Sequence, residues 1–216
     1  MGRLPFSVYD FFGYLACGFL LLVGAAYALD LGVPFSNGWT LPEGSLFVLI
    51  AYVTGQIAAG LAAWLLERQL VQRCLGSPHG YLLQDISNCQ RRLFPGFTAP
   101  LPEATRKRVL EKAQAAGIRE LDEALFLHAF ARVKRDEITL TRLNSFLALY
   151  GFCRNMAFVL LVLALLLVWA DVATGKPVDA RWIVFSAIGA AGMFWRYLKF
   201  FRQYAYEVFV TYSELT

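Results

Sequence analysis

The hydrophobic positions of this chain fall into four long runs separated by polar segments. The purest run covers residues 156–170, fifteen positions without a polar side chain that follow directly after Arg154 and Asn155. The other three cover residues 11–29, 45–66 and 182–195. An α-helix rises about 1.5 Å per residue, so about 20 residues cross a hydrocarbon core of about 30 Å. The pattern therefore predicts an all-α membrane protein with four transmembrane helices.

A charged block lies between the second and third apolar runs. From Glu67 to Arg142 the chain carries 13 of its 20 Lys and Arg and 9 of its 16 Asp and Glu. Helix-start and helix-stop residues in this block predict two helices, at residues 103–117 and 120–135, and a loop at residues 94–102. We therefore expect a helical cytosolic insert between transmembrane helices 2 and 3.

The predicted domain organisation follows from these runs. Residues 1–70 form the first transmembrane helix pair, residues 71–140 the cytosolic helical domain, and residues 141–216 the second pair with a cytosolic tail. The intermixed positive and negative charges of the insert argue against direct nucleic-acid binding. Only 17% of the whole chain is charged and 58% is hydrophobic, so the main partner is the lipid bilayer.

The distribution of Lys and Arg predicts the orientation. The two segments that connect paired apolar runs hold only Lys176 and Arg181, while the other bases lie in the head, the charged block and the tail. Cytoplasmic segments carry the excess of Lys and Arg in membrane proteins. Both termini and residues 71–140 are thus expected in the cytoplasm.

Small residues mark candidate helix-packing faces. Gly55, Ala59 and Ala63 recur at every fourth position of the second run, a spacing that lets two helix backbones approach closely. Gln56 lies near the middle of the same run, where an unpaired amide is costly, so it should bond to a neighbouring helix. Gly189 and Gly192 give the fourth run a similar face. Packing within one chain and packing between copies are both open, and we expect a homo-oligomer.

Asp10, Arg154 and Asn155 lie at the boundaries of the first and third runs. Arg154 there has four readings: a clamp for an anionic lipid, a partner of Asp10, a gate of an aqueous path, or an interfacial anchor. Asp10 is expected as a boundary acid near a helix start, where the dipole favours it.

A second basic feature follows the fourth run. Arg196, Lys199 and Arg202 recur every three residues and would face one way on a helix. They would bind lipid phosphate, line a cationic vestibule, or anchor the helix at the membrane surface. The aromatic residues around them predict a belt at the membrane interface; these are Trp195, Tyr197, Phe200, Phe201, Tyr204 and Tyr206.

The chain offers no constellation that spells out an activity. It has no phosphate-binding glycine loop, no dinucleotide fingerprint and no pair of intramembrane carboxylates. Its two histidines and four cysteines lack the paired spacing of a zinc site. We therefore expect no catalytic residue, cofactor or metal, and a protein that is not an enzyme. An ion-coupled carrier is disfavoured as well.

Two short strings, VYDFFGYLACG at residues 8–18 and LYGFCRN at residues 149–155, flank the charged block. With the two helix pairs around a cytosolic insert, they resemble uncharacterised bacterial four-span inner-membrane proteins. Some of those proteins accompany phage-defence or toxin-type partners. The resemblance implies a component of the bacterial inner (cytoplasmic) membrane that responds to a cytosolic protein partner.

Two functions from different classes follow from these expectations. In the first, an oligomeric membrane effector in antiviral defence senses or docks a partner through residues 71–140, and its helices alter membrane permeability or form a pore. In the second, the chain is a membrane anchor or scaffold that recruits a soluble protein. The first is favoured, because an anchor needs one span and this pattern predicts four.

Overall fold

The computed structural model describes residues 8–31, 38, 40–84, 94–118 and 123–215, apart from the side chains at positions 8–10 and 12. Every regular element in these ranges is a helix, so the predicted all-α class is confirmed. The α-helices are α1 (Val8–Ala28), α2 (Leu41–Ala62), α3 (Pro78–Leu83), α4 (Pro95–Thr98), α5 (Glu103–Ala115), α6 (Glu123–Val133), α7 (Glu137–Ala173) and α8 (Ala180–Glu214). A π-helix, Ala63–Leu75, follows α2 directly.

Two segments are long and apolar enough to cross a membrane. They are Leu41–Leu83, which begins with α2, and Glu137–Ala173, which is α7. Helix α1 holds a shorter apolar stretch, Gly13–Ala28. The protein is thus helical with two membrane-compatible helices among the described residues, and crossing by α1 and α8 stays a prediction.

The chain divides into two compact units. The apolar unit comprises residues 1–68 and 151–196, and the charged unit comprises residues 69–150 and 197–216. Helices α7 and α8 each contribute to both. The charged unit thus includes the tail in addition to the insert between the second and third apolar runs.

Glycines bring α1 and α2 of the apolar unit into backbone contact. A Cβ atom on Gly18 would overlap the carbonyl oxygen of Ala51, and one on Gly55 would overlap the carbonyl oxygen of Tyr14. Ring contacts continue along the two helices, with Phe11 stacked on Tyr52 at a centroid distance of 5.1 Å. The close approach gains dispersion contact that larger side chains would prevent.

The charged unit has a hydrophobic core of its own, and α8 completes it. Val208 and Phe209 of α8 are fully buried against the core residues of α5, α6 and α7. Those residues include Val109, Leu125 and Leu143. An insert of about 70 residues is small for an independent core. The tail adds the apolar surface that the insert lacks.

The residues of the predicted aromatic belt differ in burial, since Tyr197 is buried and Phe200, Phe201, Tyr204 and Tyr206 are half-buried. Tyr197 is fully buried, with its ring centroid 5.3 Å from that of Tyr150 and 6.0 Å from that of Phe201. Tyr204 lies beside Phe126 at 6.2 Å. Of the belt residues, Trp195 is exposed at 53%. Tyr197, Phe201 and Tyr204 recur at helical spacing, so one face of α8 packs them against rings of the charged unit.

Of two local predictions in the charged block, one is partly wrong and one is confirmed. Residues 94–102 were expected to form a loop, but they contain α4, and Phe97 and Leu101 are buried. The Leu101 amide donates to the Leu82 carbonyl at 3.0 Å, which ties this segment to α3. The expected helix at 103–117 is confirmed as α5, and Gly117 follows it with φ of +73°, a conformation that glycine adopts without strain.

Candidate functional site

The π-helix carries the first charged residue after the second apolar run, Glu67. The π-helix carries the chain on from α2 to Leu75, and Gly76 follows with φ of +78°. Long π-helical stretches are rare, and π turns are enriched at functional sites. Glu67 and the side chains around it therefore form the candidate functional site.

Arg154 pairs with Glu67 inside the apolar unit. The Arg154 Nη1 atom donates to Glu67 Oε2 at 2.5 Å, and the two side chains are only 14% and 22% exposed. The pair joins the π-helix to α7 at the boundary of both apolar runs. None of the four readings of Arg154 named Glu67, and the structure shows Arg154 in a half-buried ion pair with it.

Asn155 and Cys153 extend this cluster on α7. Asn155 is 3% exposed, and its Oδ1 accepts from Arg154 Nε at 3.3 Å and from Nη2 at 3.2 Å. Cys153 is buried and receives a hydrogen bond from the Arg196 guanidinium of α8. We call Glu67, Cys153, Arg154, Asn155 and Arg196 the boundary cluster.

The boundary cluster is held together by its own members. Arg154 donates hydrogen bonds to both Glu67 and Asn155. Removing the charge of Arg154 or of Glu67 would leave the other charge unpaired in a poorly hydrated place. Through Glu67, Arg154 thus holds the π-helix against α7, and we call this polar contact a latch.

The opposite end of the apolar unit has a second polar contact. Lys176 Nζ donates to the Tyr27 carbonyl at 2.6 Å and to the Asp30 carboxylate at 2.9 Å. The Tyr27 carbonyl lies in the last turn of α1 and Asp30 just after it, where a cation complements the exposed carbonyls. Lys176 therefore ties the α7–α8 connection to the end of α1.

The predicted helix-packing residues differ in burial and in the residues that they contact. Gly55 and Ala59 are buried and Ala63 is half-buried. On α8, a Cβ on Gly189 would lie 3.1 Å from Leu160 of α7, while Gly192 faces open space. These positions show packing within one chain.

Among the residues that the structure describes, Gln56 bonds within its own helix and not to the neighbouring helix that was predicted. Its Nε2 donates to the Tyr52 hydroxyl at 3.0 Å, one turn earlier in α2. A tyrosine at position i−4 satisfies the amide locally, which needs no second helix.

The basic residues of α8 do not share one environment. Arg196 and Lys199 are exposed, whereas Arg202 is half-buried and donates to the Ala99 carbonyl from Nη2 at 2.9 Å. Burial lowers the pKa of the Arg202 guanidinium, and the electrostatic interaction with Tyr206 opposes that shift. Arg202 thus caps a backbone carbonyl inside the charged unit. The side chain of Asp10 lies outside the described residues.

Sequence reasoning missed Glu67 as a functional residue. A usable signal was present, because Glu67 is the first charge after one apolar run and Arg154 the last charge before the next. Charges at matched boundaries of antiparallel spans lie at the same depth, so they are natural partners. Comparisons with protein-family models, curated proteins and solved structures give no match.

Proposed function

We propose that the chain is a four-span membrane protein whose apolar unit lies in the bilayer and whose charged unit engages a partner at the cytoplasmic face. The supporting observation is the exposed apolar surface of the apolar unit. Large apolar side chains are exposed on all four of its helices, among them Phe19 43%, Ile57 61%, Leu165 62% and Ile188 68%. Surfaces of this kind need lipid or a second protein to cover them.

The charge-free lengths support crossing by all four helices. The uncharged stretches are residues 11–29, 44–66, 155–170 and 182–195. At about 1.5 Å per residue these cover roughly 21–35 Å, near the thickness of a bilayer core. The shortest stretch ends at Arg196, whose long side chain reaches the interface by snorkelling.

Within that architecture we propose an oligomeric effector of antiviral defence in the bacterial inner membrane. The boundary cluster supports this proposal, since it is a polar latch between helices that are otherwise apolar. Opening it would change the packing of α7 against the π-helix, and a rearrangement of that kind in several copies would alter membrane permeability.

The alternative is a membrane anchor that recruits a soluble protein. One observation favours it: Gln56, Arg154 and Glu67 all find partners within the chain. These three polar side chains are therefore satisfied within a single copy, without a water-filled path.

Membrane potential separates the two proposals. The chain would be expressed with its neighbouring genes, and a potential-sensitive dye would follow the cells before and after phage infection. The effector proposal expects depolarisation on infection, and expects Glu67→Leu combined with Arg154→Leu to change its onset. An unchanged membrane potential would contradict the effector proposal, and co-purification of a soluble partner would then support the membrane anchor. Expression of Gly60→Ala, a change at an open position of α2, controls for expression level.

A further inference from the structure

A basic cavity lies in the charged unit, among the C-terminal ends of α5, α6 and α8. Its volume is about 610 Å³, and its charged and aromatic lining consists of Lys112, His128, Arg132, Arg135, Asp136 and Tyr212. Small-molecule sites typically measure about 300–1,000 Å³. The cavity is therefore large enough for an organic ligand.

The charge of the lining is positive. Its three Lys and Arg side chains outnumber its one acid, Asp136. The acid is already engaged, because Asp136 Oδ2 accepts from the Thr139 amide at 3.1 Å and from its hydroxyl at 2.5 Å. The cavity thus attracts anions.

The bases have different tasks. Lys112 donates to the carbonyls of Tyr212 and Leu215, so it complements the end of α8. The guanidinium groups of Arg132 and Arg135 donate no hydrogen bond to any residue that the structure describes. The helix dipole favours a cation in the last turn of α6, which accounts for Arg132 but not for a second arginine beyond the helix end.

We propose that this cavity binds a small soluble phosphate ester or polyphosphate. Two guanidinium groups three positions apart present planar donor forks, which match phosphate oxygens in pairs. The rings of His128 and Tyr212, 5.9 Å apart and perpendicular, form an aromatic wall for the organic part. This inference does not depend on the proposed membrane activity, because binding can be measured whether or not permeability changes.

Calorimetric titration of the full chain, purified in uncharged detergent, tests the site with ATP and inorganic pyrophosphate as probes. Saturable binding is expected for at least ATP. Arg132→Ala and Arg135→Ala should each weaken it about tenfold or more, since each removes charge-assisted hydrogen bonds to phosphate. His128→Ala should weaken ATP binding more than pyrophosphate binding. Both arginines are exposed, so these variants should keep their melting temperatures.

The matched control is Arg108→Ala, which removes an exposed base of α5 that does not line the cavity. Its affinity should stay within about twofold, because unspecific attraction between exposed charges is screened. Failure of both probes to bind would overturn the proposal, as would an equal loss in Arg108→Ala. Binding that requires phosphatidylglycerol, tested in nanodiscs with and without it, would assign the arginines to a lipid headgroup and would also overturn it.

Discussion

At the scale of single residues, two kinds of position fix the apolar unit: glycines at backbone contacts and charges at its boundaries. Gly18 and Gly55 leave no space for a side chain, while Gly60 of the same α2 has nothing within 4 Å of an added Cβ. Replacing glycine by alanine therefore has opposite consequences at Gly55 and at Gly60 of α2.

Gly55→Ala should lower stability in detergent by about 1–3 kcal/mol, because the new methyl group forces α1 and α2 apart. Gly60→Ala should be neutral or slightly stabilising, since alanine favours the helix. Thermal unfolding followed by circular dichroism measures both. Equal melting temperatures for the two variants would contradict the packing of α1 on α2.

Breaking the Glu67–Arg154 pair by one change, Glu67→Leu or Arg154→Leu, should cost about 1–3 kcal/mol. The remaining charge would stay in a site that is 22% exposed or less. The double change should restore much of the loss, because it leaves no unpaired charge.

Arg142→Leu is the control for that experiment. Arg142 pairs with Glu207 at 2.5 Å but is 60% exposed, so its loss should cost at most about 1 kcal/mol. The latch interpretation fails if the single boundary changes cost no more than this control in denaturant unfolding.

At the scale of elements, the start of α7 depends on Asp136. Hydrogen bonds from the Thr139 side chain and amide hold the pKa of Asp136 below its usual range. The ionised carboxylate therefore stabilises the first turn of α7 above pH about 4, near the unfolded pKa of about 3.9. This contribution is lost as the pH falls through the lower folded pKa.

Asp136→Asn should lower the melting temperature at pH 7, and its difference from the unchanged protein should shrink between pH 4 and pH 3. Asparagine keeps an acceptor but does not titrate, so only the charged contribution is removed. Glu137→Gln, whose carboxylate accepts no bond within the described residues, serves as the control. A pH-independent difference for Asp136→Asn would contradict the assignment.

At the scale of the whole molecule, orientation decides which partners the charged unit can meet. The excess of Lys and Arg predicts that residues 71–140 face the cytoplasm. In intact cells, a membrane-impermeant maleimide should leave the exposed Cys74 unlabelled. Introduced as the sole cysteine, Asp179→Cys should be labelled, because Asp179 lies in the segment between α7 and α8 and is 53% exposed. Labelling of Cys74 before cell lysis would reverse the topology.

The sequence was informative where one physical signal dominates. The apolar run at residues 156–170 predicts its helix without any neighbour, because fifteen apolar residues cannot remain in water. Gly76 and Gly117 correctly indicated helix ends, since both adopt positive φ values after a helix. Local chemistry alone sets these features.

The candidate site and the second core depend on contacts between distant segments. Neither Glu67 nor Arg154 identifies its partner from local pattern, as 87 positions separate them. By composition alone, the aromatic residues of α8 fit a belt at the membrane interface as well as they fit a packed helix face. Their burial against Tyr150 and Phe126 follows from the packing of the charged unit.

By itself, then, the sequence determined the helical class, the apolar runs and most helix ends, because hydrophobic transfer and backbone propensity act within a few turns. Tertiary structure alone decided that Arg154 meets Glu67, that Tyr197 is buried and that two arginines border one cavity. Each of these needs the free energy of packing between helices, which no short stretch of chain contains.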